Sequence, residues 1–152
     1  MAGAWSTGFY DCCGKVDTPS GEVGGSGLCC YAFCCSCLLF GDNSEYMSDA
    51  EGVFCAGQGK GTMACIAYFG ADLVGHFLLI PLGFLLHIPL RGAIRKRYGL
   101  PEKPCMDCCA VCCCYACALT QETKELKHRG AQPIPPGQPF QVVQPVQQIQ
   151  MK

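Results

Sequence analysis

The sequence predicts a mainly α-helical fold: a small cysteine-rich helical domain with a central hydrophobic helix or kinked helical hairpin and a disordered C-terminal tail. Three observations indicate this. Residues 61–90 form an apolar run with a single formal charge, Asp72. Sixteen cysteines occur in 152 residues, most of them in two clusters that bracket this run. The last segment is rich in proline and glutamine and cannot build a core. We assign residues 1–130 to one domain and residues 131–152 to the tail.

The first part of the chain alternates polar and apolar segments. Residues 14–27 are polar and rich in turn formers, which predicts a flexible loop. Residues 28–40 are apolar, but a helical span needs about 20 residues, so a buried or interfacial helix is the better prediction. Residues 41–62 are polar and glycine-rich, and we predict a loop there with a short helix around residues 43–51.

The apolar run of residues 61–90 is the predicted membrane segment. Residues 61–80 alone match a hydrocarbon core of about 30 Å. Pro81 and Pro89 mark positions where the helix should kink or stop. One span ending near Pro81, a longer tilted span and a re-entrant hairpin bent at Pro81 all fit this pattern.

A further helix is predicted from Cys105 to Leu126, apolar at its start and charged from Gln121 onward. Its cysteines follow steps of three and four residues, so several share one face of the helix.

The charge is distributed unevenly along the chain. Residues 1–90 carry eight acids and two bases, a net −6, whereas residues 91–130 carry eight bases and four acids, a net +4. Basic residues directly after an apolar segment favour the cytoplasmic side. We therefore predict a membrane protein, of the plasma membrane or an organelle, with the basic segment 91–103 on the cytoplasmic side. No basic, aromatic-interleaved stripe indicates a nucleic acid partner.

The cysteines allow several chemistries. The first residues lack a basic region followed by an apolar one, so no signal peptide is predicted. In a reducing cytosol, metal ligation, acylation or packing is favoured, and in an oxidising compartment disulfides are equally expected. A zinc site needs four converging ligands, and the two clusters offer more than enough. The predicted metal ligands, with zinc as the expected cofactor, are Cys30, Cys35, Cys37, Cys105, Cys108, Cys109 and Cys112.

Three ionisable residues interrupt the apolar run: Asp72, His76 and His87. On a continuous helix, His76 and His87 lie about 40° and about 60° from Asp72, so all three could line one face. Because ionisable groups at membrane depth tend to mark ion paths, we predict a cation or proton path there. The alternative is a hydrogen-bonded pair of Asp72 and His76, with His87 at the membrane interface.

Catalysis is not indicated by any motif. No serine or cysteine can be tied to a particular histidine by spacing. The C-x-x-C spacings at Cys105–Cys108 and Cys109–Cys112 lack the βαβ pattern of thiol oxidoreductases. We predict that the protein is not an enzyme.

Two blocks of residues carry a resemblance to a known family. Cys29 and Cys30, followed after a gap by Cys35, Ser36 and Cys37, resemble the double-cysteine and Cys-Pro-Cys signature of the placenta-specific-eight family, with Ser36 in place of proline. Further matching residues near the start and before the second cluster are Trp5, Thr7, Gly8, Asp11, Cys12, Arg91, Ile94, Arg95, Tyr98 and Leu100. The matching terminal block is Pro104, Cys105, Asp107, Cys108, Cys109, Cys117, Ala118, Leu119, Gln121, Glu122, Glu125 and Leu126.

The resemblance implies membrane association, oligomerisation, and roles in divalent-cation resistance or transport and in growth control, without an established enzyme chemistry. The function expected on this basis is divalent-cation handling at a membrane. The partners expected are membrane lipid, divalent cations and further copies of the chain or a larger assembly. The alternative function is a noncatalytic scaffold or accessory subunit.

Overall fold

Helices account for most of the chain that the structure describes. This structure, a computed structural model, describes residues 4–47, 52–80, 82–101 and 103–133. The mainly helical fold predicted from the sequence is confirmed. Most of the predicted tail, residues 134–152, lies outside the described residues, so its disorder stays a prediction.

A short antiparallel hairpin precedes the helices. Strand β1 (Lys15–Thr18) pairs with strand β2 (Gly21–Gly24), with Val16 opposite Val23. The two-residue turn between the strands leads into Gly21, whose φ of 118° is in a region that favours glycine. The prediction of a flexible loop over residues 14–27 was therefore wrong, because its turn residues close a hairpin.

The first cysteine cluster lies on two short helices. Helix α1 (Gly25–Cys34) and helix α2 (Ser36–Ser44) meet at Cys35, whose non-helical φ of −133° bends the chain by 105°. The predicted single helix over residues 28–40 is thus divided, and the helix predicted around residues 43–51 does not form over its described part beyond Ser44, where α2 ends.

The apolar run forms two helices. Helix α3 (Gly61–Leu78) is followed by Leu79, its C-cap residue, which adopts a left-handed conformation. Helix α4 (Phe84–Tyr98) begins five residues after Leu79 and runs through Pro89. The break falls in the region of Pro81 as predicted. Pro89 does not stop the helix, because α4 continues to Tyr98; a kink at Pro89 stays a prediction. A proline inside a helix removes one backbone hydrogen bond, and packing of α4 on α5 compensates for this loss.

Helix α5 (Pro104–His128) confirms the last predicted helix. Proline at its start suits a position whose N–H would lack an intrahelical partner. Cys114 has non-helical angles, with φ −152° and ψ 76°, so α5 consists of two helical segments joined at this residue.

The core lies where α2 packs against α3 and α5. Gly41 and Gly61 let α2 and α3 approach closely, since a Cβ built on Gly41 would lie 2.5 Å from the Gly61 carbonyl oxygen. Above this contact the rings of Phe40 and Tyr68 stack with centroids 4.6 Å apart. Other core side chains are Leu39, Met47, Ala64, Leu90, Ile94, Leu119 and Leu126.

Candidate functional site

Contacts across the break between α3 and α4 place the ionisable residues of the apolar run differently: His87 is buried, Asp72 is half-buried and His76 is exposed. The backbone N–H of Gly83 donates to Oδ1 of Asp72 across 3.1 Å. A Cβ at Gly83 would lie 2.2 Å from the same oxygen, so only glycine allows this approach. One turn further on, the His87 ring lies 6.3 Å from that of Tyr68. Residue numbers rise along α4 as they fall along α3, so the two helices run antiparallel.

A cavity of about 330 Å³ lies beside this reversal. Its polar lining comes from Asp72 and His76 of α3, Cys112 of α5, Tyr68 and Ser36. Its apolar lining is Gly75, Leu79, Ile80, Phe84, Val111 and Tyr115. The cavity therefore combines a carboxylate, an imidazole and a thiol with a largely apolar wall.

A buried ion-pair network lies on the other side of Tyr68. Nε2 of His87 is 3.0 Å from both carboxylate oxygens of Glu122, and both side chains are fully buried. Nδ1 of His87 is buried without a hydrogen-bond partner among the described residues. Arg91 donates from Nη1 to Oε1 of Glu122 across 3.2 Å and from Nη2 to Oε1 of Gln121 across 2.6 Å.

Asp107 completes the network from the first turn of α5. Its two carboxylate oxygens accept hydrogen bonds from Nε of Arg91 at 2.7 Å and from Nε and Nη2 of Arg95 at 2.6 and 2.7 Å. The ring of Trp5 covers both guanidiniums, with its centroid 4.4 Å from Arg91 and 5.2 Å from Arg95. Two carboxylates thus balance two guanidiniums under an aromatic cover.

The structure divides the three residues predicted to line an ion path. Asp72 and His76 line one cavity, whereas His87 binds Glu122 in the network. The helical count that placed His87 beside them assumed a continuous helix, and the break between Leu78 and Phe84 removes that alignment. The alternative pairing of Asp72 with His76 is not formed either, since Asp72 bonds to the Gly83 backbone.

The seven cysteines predicted as metal ligands do not converge. Within the part of the chain that the structure describes, no three His, Cys, Asp or Glu side chains group so that they could hold a metal ion. Cys112 lines the cavity and hydrogen-bonds with Cys108, one turn away. A preformed zinc centre does not fit the described residues, and the use of these cysteines as ligands stays a prediction.

The structure also brings cysteines together in ways that sequence reasoning did not predict. Cys12 and Cys13 hydrogen-bond with Cys29, and burial together with the Cys13 contact raises the pKa of Cys29 to about 11. Cys37 hydrogen-bonds with Cys65 of α3. The adjacent cysteines Cys12 and Cys13 could have been recognised from the sequence as a possible contact pair. Their partner, Cys29, could not have been identified without the fold.

One disulfide joins two cysteines of α5 within the described residues, Cys114 and Cys117. One of its two cysteines, Cys114, is the non-helical residue at which α5 bends. Disulfide formation was one of the alternatives left open from the sequence.

Three basic residues that directly follow the apolar run are buried. Arg91 and Arg95 belong to the network, and Nη1 of Arg97 donates to the backbone oxygen of Tyr46. Lys96 points to solvent. Sequence reasoning did not predict that Asp107 and Glu122 bind these arginines, although both residues fall within the family motif.

Among the residues that the structure describes, two helices, α3 and α5, are long and apolar enough to cross a membrane by length and composition. Helices α1 and α2 have enough length and apolar character to cross a membrane only when they are counted as one span, and the chain bends by 105° between them. Membrane association is therefore indicated by helix length and composition.

The comparisons with known proteins agree with this architecture. The chain matches the PLAC8 family over residues 5–125. It is 33% identical over 131 residues to Protein PLANT CADMIUM RESISTANCE 9 of Arabidopsis thaliana, covering 86% of this chain and 74% of the relative. It is also 33% identical over 132 residues to Cell number regulator 11 of Zea mays, covering 86% and 67% respectively. No solved structure matches the chain. The protein is a cysteine-rich helical protein, and it belongs to the PLAC8 family, as the sequence resemblance predicted.

Proposed function

We propose that this protein handles a thiol-seeking divalent cation, with cadmium as the representative ion, at a membrane. The observation that carries the proposal is the cavity that Asp72, His76 and Cys112 line. The names of three relatives support it, since each is called a plant cadmium resistance protein.

The donor set suits such an ion. Thiolate favours soft cations, imidazole suits borderline ones, and a carboxylate supplies the negative charge that offsets the cation. The three side chains line the cavity without converging on one point. A volume of about 330 Å³ leaves room for waters beside the ion. We therefore propose a partly hydrated, exchangeable cation, which suits transport or sequestration better than a permanent structural site.

The proposed location is a membrane, with residues 91–103 on the cytoplasmic side. Because Arg91, Arg95 and Arg97 are buried, the free charge that would favour this side comes from Lys96 and Lys103, which are exposed.

Cadmium binding by the full-length protein in lipid nanodiscs tests the proposal. We expect C112S and D72N each to weaken cadmium binding by about tenfold or more, since each removes one proposed ligand. C109S is the matched control, because Cys109 is another exposed cysteine of α5 that does not line the cavity. Cadmium tolerance of cells that express each variant should follow the same order.

Equal binding by C112S, C109S and the unmodified chain would contradict the cavity as the binding site. Absence of cadmium binding by the unmodified chain, together with unchanged tolerance, would favour the alternative of a noncatalytic scaffold or accessory subunit.

A further inference from the structure

The hairpin formed by α3 and α4 has both of its outer ends at one place. At the start of α3, the N–H of Gly61 donates to Oε1 of Glu45 across 3.2 Å. At the end of α4, Arg97 donates to the backbone oxygen of Tyr46. The chain therefore leaves and returns at residues 45 and 46, and the reversal between Leu78 and Phe84 lies at the far end.

Helix α5 also folds back on itself. Asp107 and Glu122 both bind the guanidinium of Arg91, so their carboxylates are only one guanidinium apart. Fifteen residues of a straight helix would separate them by about 22 Å. The bend at Cys114 must therefore bring the two segments of α5 side by side.

A third reversal joins α1 and α2 at Cys35. Ser36, the next residue, lines the same cavity as Leu79 and Tyr115. The ring of Phe33, just before the bend, lies 6.5 Å from that of Tyr115, just after the bend in α5. All three reversals therefore meet around one cavity.

The surface around these reversals, which we call the apolar end, is exposed and mostly apolar; Asp72, half-buried and hydrogen-bonded to Gly83, and the exposed His76 are the ionisable residues of its cavity. Phe77 is 79% exposed and Leu79 is 91% exposed, and Phe33, Ile80, Leu85 and Tyr115 are also open to solvent. Residues 73–90 contain no Asp, Glu, Lys or Arg. A loop that emerged into water on the far side of a bilayer would need polar residues at this position.

The opposite end carries the charged groups and the β-hairpin. Lys15 and Glu22 form an exposed ion pair at 3.0 Å, and Nδ1 of His128 lies 2.7 Å from the backbone oxygen of Asp17. Arg129 covers the ring of Tyr98 at 4.8 Å, which brings the last residues of α4 to the same end. The molecule therefore has one apolar and one polar end.

We infer that the apolar end inserts into a lipid bilayer from one side and that none of the described helices crosses it. The inference rests on the membrane location in the proposed function and adds the mode of insertion. Lipid is the occupant because the exposed side chains of this end are mostly large and apolar and include no Lys, Arg or Glu of residues 61–90. The end is also continuous with the outward face of α3 (Ile66, Phe69 and Leu73), and exposed ion pairs such as Lys15–Glu22 lie at the other end. Both cysteine clusters then belong to segments that enter and leave on the same side, and the cation cavity lies between the three reversals.

Depth-dependent tryptophan quenching tests the insertion. Trp5 is the single tryptophan, so W5F gives a silent background that keeps an aromatic ring over Arg91. F77W then reports on the apolar end. Y10W is the matched control, because Tyr10 is an aromatic residue with 88% exposure outside that end. In vesicles of phosphatidylcholine with brominated acyl chains, we expect F77W to lose most of its emission and Y10W to keep it.

Aqueous iodide should give the reverse pattern, quenching Y10W and sparing F77W. Iodide quenching of F77W would mean that the reversal reaches water and would overturn the inference. Quenching of F77W by neither reagent would place Phe77 against a second copy or another protein, and would also overturn it. If W5F fails to fold, the same comparison is made in the unmodified chain by subtracting the emission of Trp5.

Protease sites test whether the chain crosses. Recognition sequences inserted at Gln58, at Lys103 and after Gln132, all exposed, should be accessible to protease on the same side of sealed vesicles. Protection of the Lys103 site while the other two are cut, or cutting at only one of the outer two, would show a crossing. Cadmium binding is measured separately, so a protein that binds cadmium but crosses the membrane overturns this inference and leaves the proposed function intact.

Discussion

The ion-pair network and the apolar end differ in the kind of side chain that each keeps from water. In the network, Glu122 is fully buried and Arg91 is 3% exposed, whereas at the apolar end Leu79 is 91% exposed. Soluble proteins usually show the opposite arrangement. The difference indicates that burial of charge fixes the fold while apolar surface is left for an external partner.

The network can do this because its members come from three parts of the chain. Arg91 lies on α4, Asp107 and Glu122 lie on opposite sides of the bend in α5, and Trp5 lies in the N-terminal segment. An ion is costly to bury without its partner, so the helices must dock in one arrangement to satisfy all charges together. Ionic contacts hold the bend in α5 closed from inside.

Removal of Arg91 is expected to have the largest effect. R91M keeps the approximate side-chain length but leaves Asp107 and Glu122 with one cationic partner fewer. We expect the free energy of unfolding to fall by about 3–5 kcal/mol, the usual cost of breaking a buried pair. Chemical denaturation in detergent micelles, followed by circular dichroism, measures it.

K96M is the control, because Lys96 is an exposed base on the same helix. We expect it to change the free energy of unfolding by no more than about 0.5 kcal/mol. Similar losses in R91M and K96M would mean that the network does not hold the fold.

The sequence predicted the long helices better than the bends. The apolar runs predicted α3 and α5, and the proline-containing segment after Ile80 predicted the chain reversal between α3 and α4. Nothing in the local pattern marked Cys35 or Cys114 as non-helical, because cysteine is tolerated in helices and both bends depend on contacts with distant residues. The hairpin of residues 15–24 was missed because its strands contain little apolar sequence.

The candidate site was predicted in part. Asp72 and His76 were recognised as polar exceptions in an apolar run, and the structure places both on one cavity. Cys112 was recognised only as one ligand among seven. Cys112 lines the cavity and His87 contacts Glu122 because of the way α4 and α5 fold back. Helical periodicity does not encode this tertiary arrangement.

Substitution of Phe77 tests the role of the apolar end. F77S should leave the free energy of unfolding nearly unchanged, since this side chain is 79% exposed. Burial of a phenylalanine in an apolar phase is worth about 1.5–3 kcal/mol, so we expect vesicle binding to weaken by roughly tenfold to a hundredfold. Flotation with phosphatidylcholine vesicles measures the change.

The control for F77S is Y10S, which removes an equally exposed aromatic from outside the apolar end. Vesicle binding that falls equally in both variants would indicate a general loss of surface hydrophobicity and no particular role for the apolar end.

Trp5 tests whether the aromatic cover contributes to the network. W5L removes the ring from Arg91 and Arg95, and we expect a loss of about 1–2 kcal/mol of unfolding free energy. W5F keeps a ring and should lose less than about 1 kcal/mol. Thermal denaturation followed by circular dichroism distinguishes the two. An equal loss in both variants would assign the effect to the size of the indole instead of its contact with the guanidiniums.

The smallest expected effect is at Asp42, which lies outside both the network and the apolar end. There the fold disfavours the charged form of one carboxyl group. Burial raises the pKa of Asp42 above its ordinary range, Glu45 raises it further, and Lys127 opposes the shift. The folded protein therefore holds this proton more tightly than the unfolded chain does. The stability that the proton contributes is present at acidic pH and is lost as the pH rises through the folded pKa.

D42N cannot ionise, so it should remove this pH-dependent loss. Much of Asp42 is open to water, which screens the repulsion, and we expect a gain of about 0.5 kcal/mol or less at pH 7 and none at a pH below the ordinary Asp pKa of about 3.9. D17N, at an exposed acid of β1, is the control. Denaturation across this pH range measures the difference, and a gain that is the same at both ends would mean that D42N acts through packing and not through charge.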